Sequence, residues 1–335
     1  MLMRQFIFVI GLVFLSVFSV QAESGKITGG SQYEIPSWFT DSFLDIAEDA
    51  EDALDENKMV LLYFHLDGCP YCDAMLAQNF KNGENLEFIK KNFLVIAVNI
   101  KGAREITMSD VETKTEQELS QLLKVQYTPT IVFIGEDGKQ AFRTNGYRNP
   151  KAFRSVLEYV ASKSYKNNTL SDYIEKQKNT SDYVFAKHGS LQKLTSLQDI
   201  DKPVVLLFED KDCSACDDFH QNLINRADVK AELDKFIFVR FDAYSDQQII
   251  DFDGKITSPR QMVKDYDLNY RPGVLLFDEG EYISKIDGKL YSFHFNTMLR
   301  YVSGKHYQQH EIFSGYLNER QTELLEQGIN ISIVD

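Results

Sequence analysis

The sequence predicts an α/β fold made of two tandem, related domains, each with a mixed central β-sheet flanked by helices. One observation is an internal repeat with an offset of about 143 residues, in which both copies show the same order of β-rich and helical segments. The other is a Cys-x-x-Cys motif at the same place in each copy, at Cys69 and Cys72 and again at Cys213 and Cys216. A repeat of this length fits duplication of a whole domain rather than a solenoid.

The first residues are predicted to be a secretory signal rather than part of the fold. Arg4 precedes an apolar run over residues 6–17, and small residues ending at Ala22 come before Glu23. This layout predicts a signal peptide over residues 1–22. The alternative is an uncleaved anchor, because the apolar run is nearly long enough to span a bilayer. Export predicts a periplasmic or secreted protein, not stably inserted in the membrane after cleavage, in an oxidising compartment.

Composition gives each copy enough apolar residues for a core. The 335 residues are 43% hydrophobic and 13% aromatic, which excludes global disorder, and the net charge of −14 argues against a nucleic-acid partner. Many of the acidic residues lie between Asp41 and Glu56. Apolar residues at helical spacing there (Phe43, Ala47, Ala50 and Leu54) predict an amphipathic helix whose acidic face is solvated. An acidic docking patch is the alternative.

The repeat also predicts the domain boundaries. They are residues 34–163 for the first domain, 164–195 for a linker and helical tail, 196–305 for the second domain, and 306–335 for a C-terminal helical tail. Paired segments of the two copies are β-rich at 58–64 and 203–208 and again at 93–99 and 236–242, and helical at 150–162 and 293–303. Turns at Gly138 and Gly280 predict a hairpin before each final helix. Strand, helix, strand, helix, hairpin and helix together predict a mixed sheet covered on both faces.

The cysteine spacing favours redox chemistry over a structural disulfide. A bridge that closes so short a loop stabilises a fold by roughly 2 kcal/mol, less than a long loop would give. The first cysteine of such a motif must be an accessible thiolate, and a helix N-terminus lowers its pKa. Cys69 is therefore the predicted attacking thiolate and Cys72 the resolving thiol, with Cys213 and Cys216 in the same places in the second copy. Pro70 suits the first helical turn because it needs no N–H partner there.

A proline follows each motif at nearly the same distance, Pro129 in the first copy and Pro272 in the second. A strand, a Cys-x-x-Cys at a helix start and an X-Pro before a hairpin resemble the thioredoxin fold. The pattern is most similar to periplasmic thioredoxin-related proteins of the SoxW type. The resemblance implies that the Thr128–Pro129 peptide is cis and that the Thr128 backbone pairs with an extended substrate. An ordinary trans loop proline is the alternative.

The same resemblance implies a thiol–disulfide oxidoreductase that exchanges with protein or small disulfide and thiol substrates and with an upstream redox partner. Residues assigned to substrate binding are Pro70, Tyr71, Thr128, Pro129, Arg271 and Pro272. No organic cofactor and no metal are expected beyond the redox-active cysteines, because the chain carries no glycine-rich phosphate loop or dinucleotide fingerprint. The direction of electron flow stays open.

Two departures from the thioredoxin pattern separate the two sites. Thioredoxin keeps a buried acid on the strand before its motif, whereas this chain has Tyr63 and Leu207 at those positions. The second motif lies among carboxylates (Asp210, Asp212, Asp217 and Asp218), which would raise a thiol pKa, and Arg271 could oppose them. We therefore expect the sites to differ in redox poise, with the first site the better substrate-facing nucleophile.

Other interpretations of the same residues remain. The four cysteines could bind one metal ion, or Cys213 and Cys216 could do so with His220, although we expect His220 to be exposed helix surface. His65 is expected to be a packed or edge residue rather than a catalytic one. A redox-linked binding protein is the alternative function, in which the second domain holds clients or a partner without turnover. The aromatic segment 291–295 would allow it, but core packing of the final helix is expected.

Overall fold

The computed structural model describes residues 24–108, 111–177, 189, 191–210 and 213–335. The predicted signal peptide, residues 1–22, and Asp212 of the acidic cluster lie outside the described residues. Part of the predicted linker, residues 178–188 and 190, does so as well.

The first domain is built around buried strands connected by short helices. In chain order, the first part has β1 (Ile27–Thr28), α1 (Ile46–Asp55), β2 (Met59–His65), α2 (Pro70–Met75), α3 (Leu86–Asn92), β3 (Phe93–Asn99), β4 (Glu105–Met108), β5 (Val111–Thr115), α4 (Glu116–Leu122), β6 (Thr130–Ile134), β7 (Gln140–Asn145), α5 (Pro150–Ala161) and α6 (Leu170–Gln177). Helix α2 continues as a π-helical segment over Leu76–Lys81.

The second domain repeats this plan with shorter insertions. In chain order it has β8 (Val204–Glu209), α7 (Ser214–Asp218), α8 (Ala227–Leu233), β9 (Ile237–Asp242), β10 (Ile249–Ile250), β11 (Ile256–Thr257), α9 (Pro259–Asp265), β12 (Gly273–Asp278), β13 (Glu281–Ile286), α10 (Ser292–Ser303), α11 (Phe313–Glu326) and β14 (Ile331–Ser332). A π-helical segment, Phe219–Leu223, again follows the motif helix.

Each domain has one mixed four-stranded sheet with the same topology among the described residues. The strand order is β3-β2-β6-β7 in the first domain and β9-β8-β12-β13 in the second. The two strands before and after the motif helix run parallel, and the hairpin strands join them antiparallel. Every residue of β2 and β8 is buried because helices cover both faces of each sheet. The predicted α/β fold of two related domains is confirmed.

The acidic helix differs from its prediction. It begins at Ile46, after the N-cap Asp45, whose carboxylate accepts the backbone N–H groups of Ala47 and Glu48. Phe43 therefore lies outside the helix and is fully exposed, and Leu54 is also exposed. The buried face is formed by Ile46, Asp49, Ala50 and Ala53. The prediction that Phe43 and Leu54 belong to the apolar face of this helix was wrong, because the N-cap Asp45 determines where the helix begins.

The two domains face each other through equivalent loops. Gly146 of the first domain and Gly288 of the second approach so closely that a Cβ built on either residue would lie 3.0–3.1 Å from the Cα of the other. Beside this contact the buried Arg148 reaches into the second domain. It donates to the backbone oxygen of Asn269 at 3.1 Å and lies 3.9 Å from the Asp287 carboxylate.

Helix α6, the tail of the first domain, also contacts the second domain. Lys264 pairs with Asp172 at 2.9 Å, and Arg260 pairs with Glu175. The ends of the described chain meet as well, because β1 and β14 pair in parallel with Ile27 opposite Ile331. No helix within the described residues is both long enough and apolar enough to cross a membrane.

Candidate functional site

The first Cys-x-x-Cys site is the start of helix α2. Cys69 is the N-cap of this helix, Pro70 occupies its first turn, and the Cys72 backbone N–H donates to Cys69 Sγ at 3.0 Å. The two cysteines form a disulfide, and both are buried, with 6% of Cys69 and none of Cys72 exposed. The local sequence therefore directs a backbone donor at the sulfur that was predicted to attack.

The cis-proline loop lies against this sulfur. The Thr128–Pro129 peptide is cis, as the resemblance implied. The Thr128 hydroxyl donates to Cys69 Sγ at 3.4 Å, and Thr128 O lies 3.6 Å from the same atom. The start of helix α2 and the proline loop thus bring Cys69 and Cys72 together with Thr128 and Pro129, although the two pairs are distant in sequence.

Aromatic residues close the inner side of the first site. Tyr63, which occupies the position of the missing acid, is fully buried and donates to Cys72 O at 3.0 Å. Burial raises the pKa of Tyr63 well above its ordinary value, so this hydroxyl stays protonated. Tyr33 of the N-terminal segment donates to Leu66 O at 2.7 Å and lies 3.0 Å from His65 Nδ1. His65 is a packed residue as expected, and burial lowers its pKa.

The outer side of the first site is covered by the second domain. Tyr71 stacks on Tyr291 with ring centroids 4.6 Å apart, and the Tyr291 backbone N–H donates to Tyr71 Oη at 2.7 Å. Tyr71 Oη also lies 3.2 Å from His294 Nδ1. Burial lowers the pKa of His294 to about 4, so its ring is neutral at neutral pH. The tyrosine hydroxyl can then donate to Nδ1 while it accepts from the backbone.

Sequence reasoning missed this cover. Segment 291–295 does supply core packing as expected, since Phe295 is buried in the second domain. However, Tyr291 and His294 of the same segment contact the first site. Tyr33, Tyr147 and Tyr291 pack around Cys69, Tyr71 and Cys72 from three separate parts of the chain. No local pattern marks such contacts, because they depend on how the domains dock.

The second Cys-x-x-Cys site repeats the geometry at the start of α7. Cys213 and Cys216 form a disulfide, and the Cys216 backbone N–H donates to Cys213 Sγ at 3.0 Å. Cys213 is 7% exposed, close to the value for Cys69. The Arg271–Pro272 peptide is also cis. The two sites therefore differ in their surroundings rather than in the exposure of their cysteines.

Arg271 is oriented along its own loop. Its guanidinium donates to the backbone oxygens of Leu268 and Tyr270, each at 2.9 Å, and contacts Ser171 Oγ of helix α6 at 3.4 Å. It also lies over the Tyr244 ring at 5.7 Å. These contacts hold Arg271 beside the domain seam. Its expected effect on Cys213 stays a prediction.

A buried polar pair links the strand before the second motif to the helical segment after it. Glu209, the last residue of β8, accepts a hydrogen bond in a 2.7 Å contact with His220 Nε2, and Arg240 lies 3.6 Å from the same carboxylate. Glu209 and His220 are 1% and 5% exposed. The expectation that His220 is exposed helix surface was wrong, because the π-helical segment turns it toward the strand. Glu209 is a buried acid on this strand, but it lies two positions after Leu207, which holds the position of the thioredoxin acid.

The acidic surroundings of the second motif are partly neutralised. Asp218 pairs with Lys289 at 3.1 Å and accepts from Asn222. Burial would raise the pKa of Asp218, but these hydrogen bonds and the lysine charge hold it below its usual value. Among the described residues, no group of three or more His, Cys, Asp or Glu side chains is arranged to hold a metal ion.

Comparison with known proteins identifies the fold. A family model described as a thioredoxin-like domain matches residues 46–161 and again residues 192–303. This chain belongs to the thioredoxin-like domain family. The double match confirms the family that the motifs predicted, and it assigns both copies to the same family.

Similar proteins of this family include a protein disulfide-isomerase of Schizosaccharomyces pombe, 28% identical over 33% of this chain. The match covers 26% of that relative, so this chain spans about a quarter of its length. A thioredoxin-fold protein of Helicobacter pylori is 27% identical over 38% of this chain and 96% of its own, with a TM-score of 0.33. A thioredoxin of Thermus thermophilus is 27% identical over 34% and 84%, with a TM-score of 0.28.

Proposed function

We propose that this protein is an exported thiol–disulfide oxidoreductase with one exchange site in each thioredoxin-like domain. The observation that carries the proposal is the repeated geometry. In both domains a cysteine at a helix start accepts the N–H of its partner cysteine, at 3.0 Å, and a cis-proline loop belongs to the same domain. Charge-assisted hydrogen bonds of this kind favour the thiolate.

The proposed exchange moves two electrons. With the first site reduced, the Cys69 thiolate attacks one sulfur of a substrate disulfide, whose S–S bond breaks, and the other sulfur leaves as a thiolate that takes up a proton. The Cys72 thiolate then attacks the mixed disulfide and releases the second substrate thiol. The cysteine pair has been oxidised and the substrate reduced. The reverse sequence oxidises a dithiol, and the direction follows from the relative reduction potentials.

Individual residues support these steps. The Cys72 N–H and the Thr128 hydroxyl both point at Cys69 Sγ and would stabilise the thiolate. We assign Pro70, Tyr71, Thr128 and Pro129 to substrate binding at the first site. Arg271 and Pro272 take the corresponding role at the second site, and Cys213 and Cys216 perform the exchange there.

Export and the partners follow from the sequence and from the chemistry. The signal-like pattern over residues 1–22 supports a periplasmic or secreted location, where cysteine pairs meet an oxidising environment. Substrates would be protein or small disulfides and thiols, and an upstream redox partner would reset the cysteine pairs. Nucleic acid is not expected, because the net charge of −14 would be repelled by phosphates.

Trapping the mixed disulfide tests the proposal. Cys72→Ser and Cys216→Ser each remove a resolving thiol, so both variants should accumulate mixed disulfides with client proteins that dithiothreitol releases. Capture at Cys69 alone would leave the second domain as a binding module without turnover. The Cys69→Ser and Cys213→Ser variants are the matched controls. If neither resolving-cysteine variant captures anything beyond these controls, the protein is not an oxidoreductase.

A further inference from the structure

The seam between the domains forms a half-open cavity of about 630 Å³ beside the second Cys-x-x-Cys motif. Ala215, between the two cysteines, and Pro272 of the cis peptide line it. Tyr147 and Asn149 of the first domain line it as well. The cavity size falls within the range of ligand sites in proteins. Residues from both domains therefore line the space next to the second Cys-x-x-Cys motif.

Two aromatic rings of this cavity are held in place by the protein. The Tyr147 hydroxyl donates to Gln78 Oε1 at 2.6 Å, which holds the half-buried ring at the seam. Tyr291 also lines the cavity, and its ring is stacked on Tyr71. Because both rings are positioned before a ligand arrives, an apolar or aromatic side chain could pack on them with little ordering cost.

The charges around the cavity balance one another. Lys289 pairs with Asp218 at 3.1 Å, and Arg226 lies 3.9 Å from the Asp335 carboxylate. A strongly anionic ligand such as a nucleotide would meet carboxylates as well as cations. A peptide carries alternating N–H and C=O dipoles and little net charge, so it suits this mixture better.

We propose that Tyr147 of the first domain sets the specificity of the second site, by packing in this cavity against an apolar or aromatic neighbour of the cysteine in a peptide disulfide. The inference rests on the proposed exchange function. The Cys213 thiolate attacks the peptide disulfide, the S–S bond breaks, and the leaving thiolate takes a proton. Cys216 then releases the peptide thiol and forms the Cys213–Cys216 disulfide. An upstream dithiol supplies the two electrons for the next cycle.

The test follows mixed-disulfide formation at Cys213 alone. The full chain carrying Cys69→Ala, Cys72→Ala and Cys216→Ser is reduced, and the rate of adduct formation is measured by mass spectrometry. One probe is bis(2-hydroxyethyl) disulfide, and the other is a short peptide with cysteine between phenylalanine and leucine, as its disulfide with 2-mercaptoethanol. Glutathione disulfide is a third probe, which distinguishes a free small peptide from a protein segment.

In this background, Tyr147→Ala should slow the reaction with the peptide about tenfold and change the reaction with the small disulfide by less than about twofold. Tyr147→Phe keeps the ring and should retain most of the peptide rate. Tyr165→Ala is the matched control, because Tyr165 packs on the first-domain core and does not line the cavity. It should leave the ratio of the two rates unchanged.

The outcomes separate the inference from the function. If Tyr147→Ala leaves both rates unchanged, or lowers both equally, Tyr147 does not set specificity at the second site. Thiol–disulfide exchange at Cys213 is then still supported. If neither probe forms an adduct before any change at Tyr147, exchange at the second site fails and the inference fails with it. A selective loss with glutathione disulfide as well would identify small free peptides as the ligand. A loss with only the aromatic peptide would identify a protein segment.

Discussion

The two cysteine sites have matching backbones but different surroundings. At the first site the threonine hydroxyl of the proline loop contacts the sulfur, and the second domain lies over the motif through Tyr71, Tyr291 and His294. At the second site the arginine of the proline loop is held by backbone oxygens, and the motif borders a cavity. Duplication thus preserved the exchange geometry, while the docking of the domains made one site covered and the other adjacent to open space.

The largest expected difference between the two sites concerns the buried pair of Glu209 and His220 in the second domain. Glu209 and His220 correspond to His65 and Leu76 of the first domain, by strand register and by spacing from the cysteines. His220→Leu introduces the first domain's residue but leaves the Glu209 carboxylate buried without this partner. We expect it to lower the free energy of unfolding by about 3 kcal/mol.

Denaturant unfolding measures this change. His310→Leu is the control, because its ion pair with Glu319 is partly exposed and should contribute less than about 1 kcal/mol. Equal losses in the two variants would show that the buried pair has no special role in the second domain.

The cover over the first site should depend on pH. The pKa of His294 is lowered from 6.5 to about 4 by burial, with the Asp335 carboxylate opposing the shift. As the pH falls below 6.5, the unfolded chain takes up a proton that the folded chain does not, so stability is lost progressively down to about pH 4. Above 6.5 the contribution is complete and constant.

We expect wild-type protein to lose up to about 2 kcal/mol more stability than His294→Leu between about pH 7 and pH 5. Denaturant titrations of both proteins at a series of pH values measure the difference. Parallel stability curves for the two proteins would mean that His294 is not buried in solution, and hence that the cover is open.

Removing the histidine should also expose the first cysteine. His294→Leu deletes the acceptor of the Tyr71 hydroxyl, and loss of one such hydrogen bond should raise the alkylation rate of reduced Cys69 about fivefold. Cys213 should react at an unchanged rate, which makes it the internal reference. His306→Leu is the control variant, because the His306 ring stacks on Tyr316 rather than contacting Tyr71. Faster alkylation of both cysteines would instead indicate that the substitution destabilises the whole fold rather than uncovering the first site.

The smallest expected difference concerns the residues before the cis prolines. Thr128→Val removes the hydroxyl that contacts Cys69 Sγ, so the pKa of the Cys69 thiol should rise and its alkylation at neutral pH should slow about threefold. Arg271→Gln should change Cys213 less, because the guanidinium is held by Leu268 and Tyr270. The pH dependence of alkylation at each cysteine measures both effects. A larger effect of Arg271→Gln would restore the sequence-based expectation for Arg271.

Sequence alone predicted what is local or repeated. Hydrophobic runs and the repeat predicted both sheets, and the family resemblance predicted the cis peptide at Thr128–Pro129. The side of a helix that faces the core was harder to predict. His220 was wrongly expected to be exposed, because a π-helical segment shifts the helical period. The cover formed by Tyr33, Tyr291 and His294 was missed, because contacts between distant segments and domains leave no periodic pattern in the sequence.

Pairing of β1 with β14 connects the strand that follows the second domain to the first Cys-x-x-Cys motif. The N-terminal segment that pairs with β14 continues to Ser31, whose N–H donates to the Gly68 oxygen at 3.1 Å, next to Cys69. Truncating the chain before Ile331 would remove β14. The N-terminal segment that contacts the first domain at Gly68 would then lose its strand partner. A tag attached directly after β14 would be placed near the N-terminal segment that contacts the first site, so activity measured on such a fusion should be compared with the untagged chain.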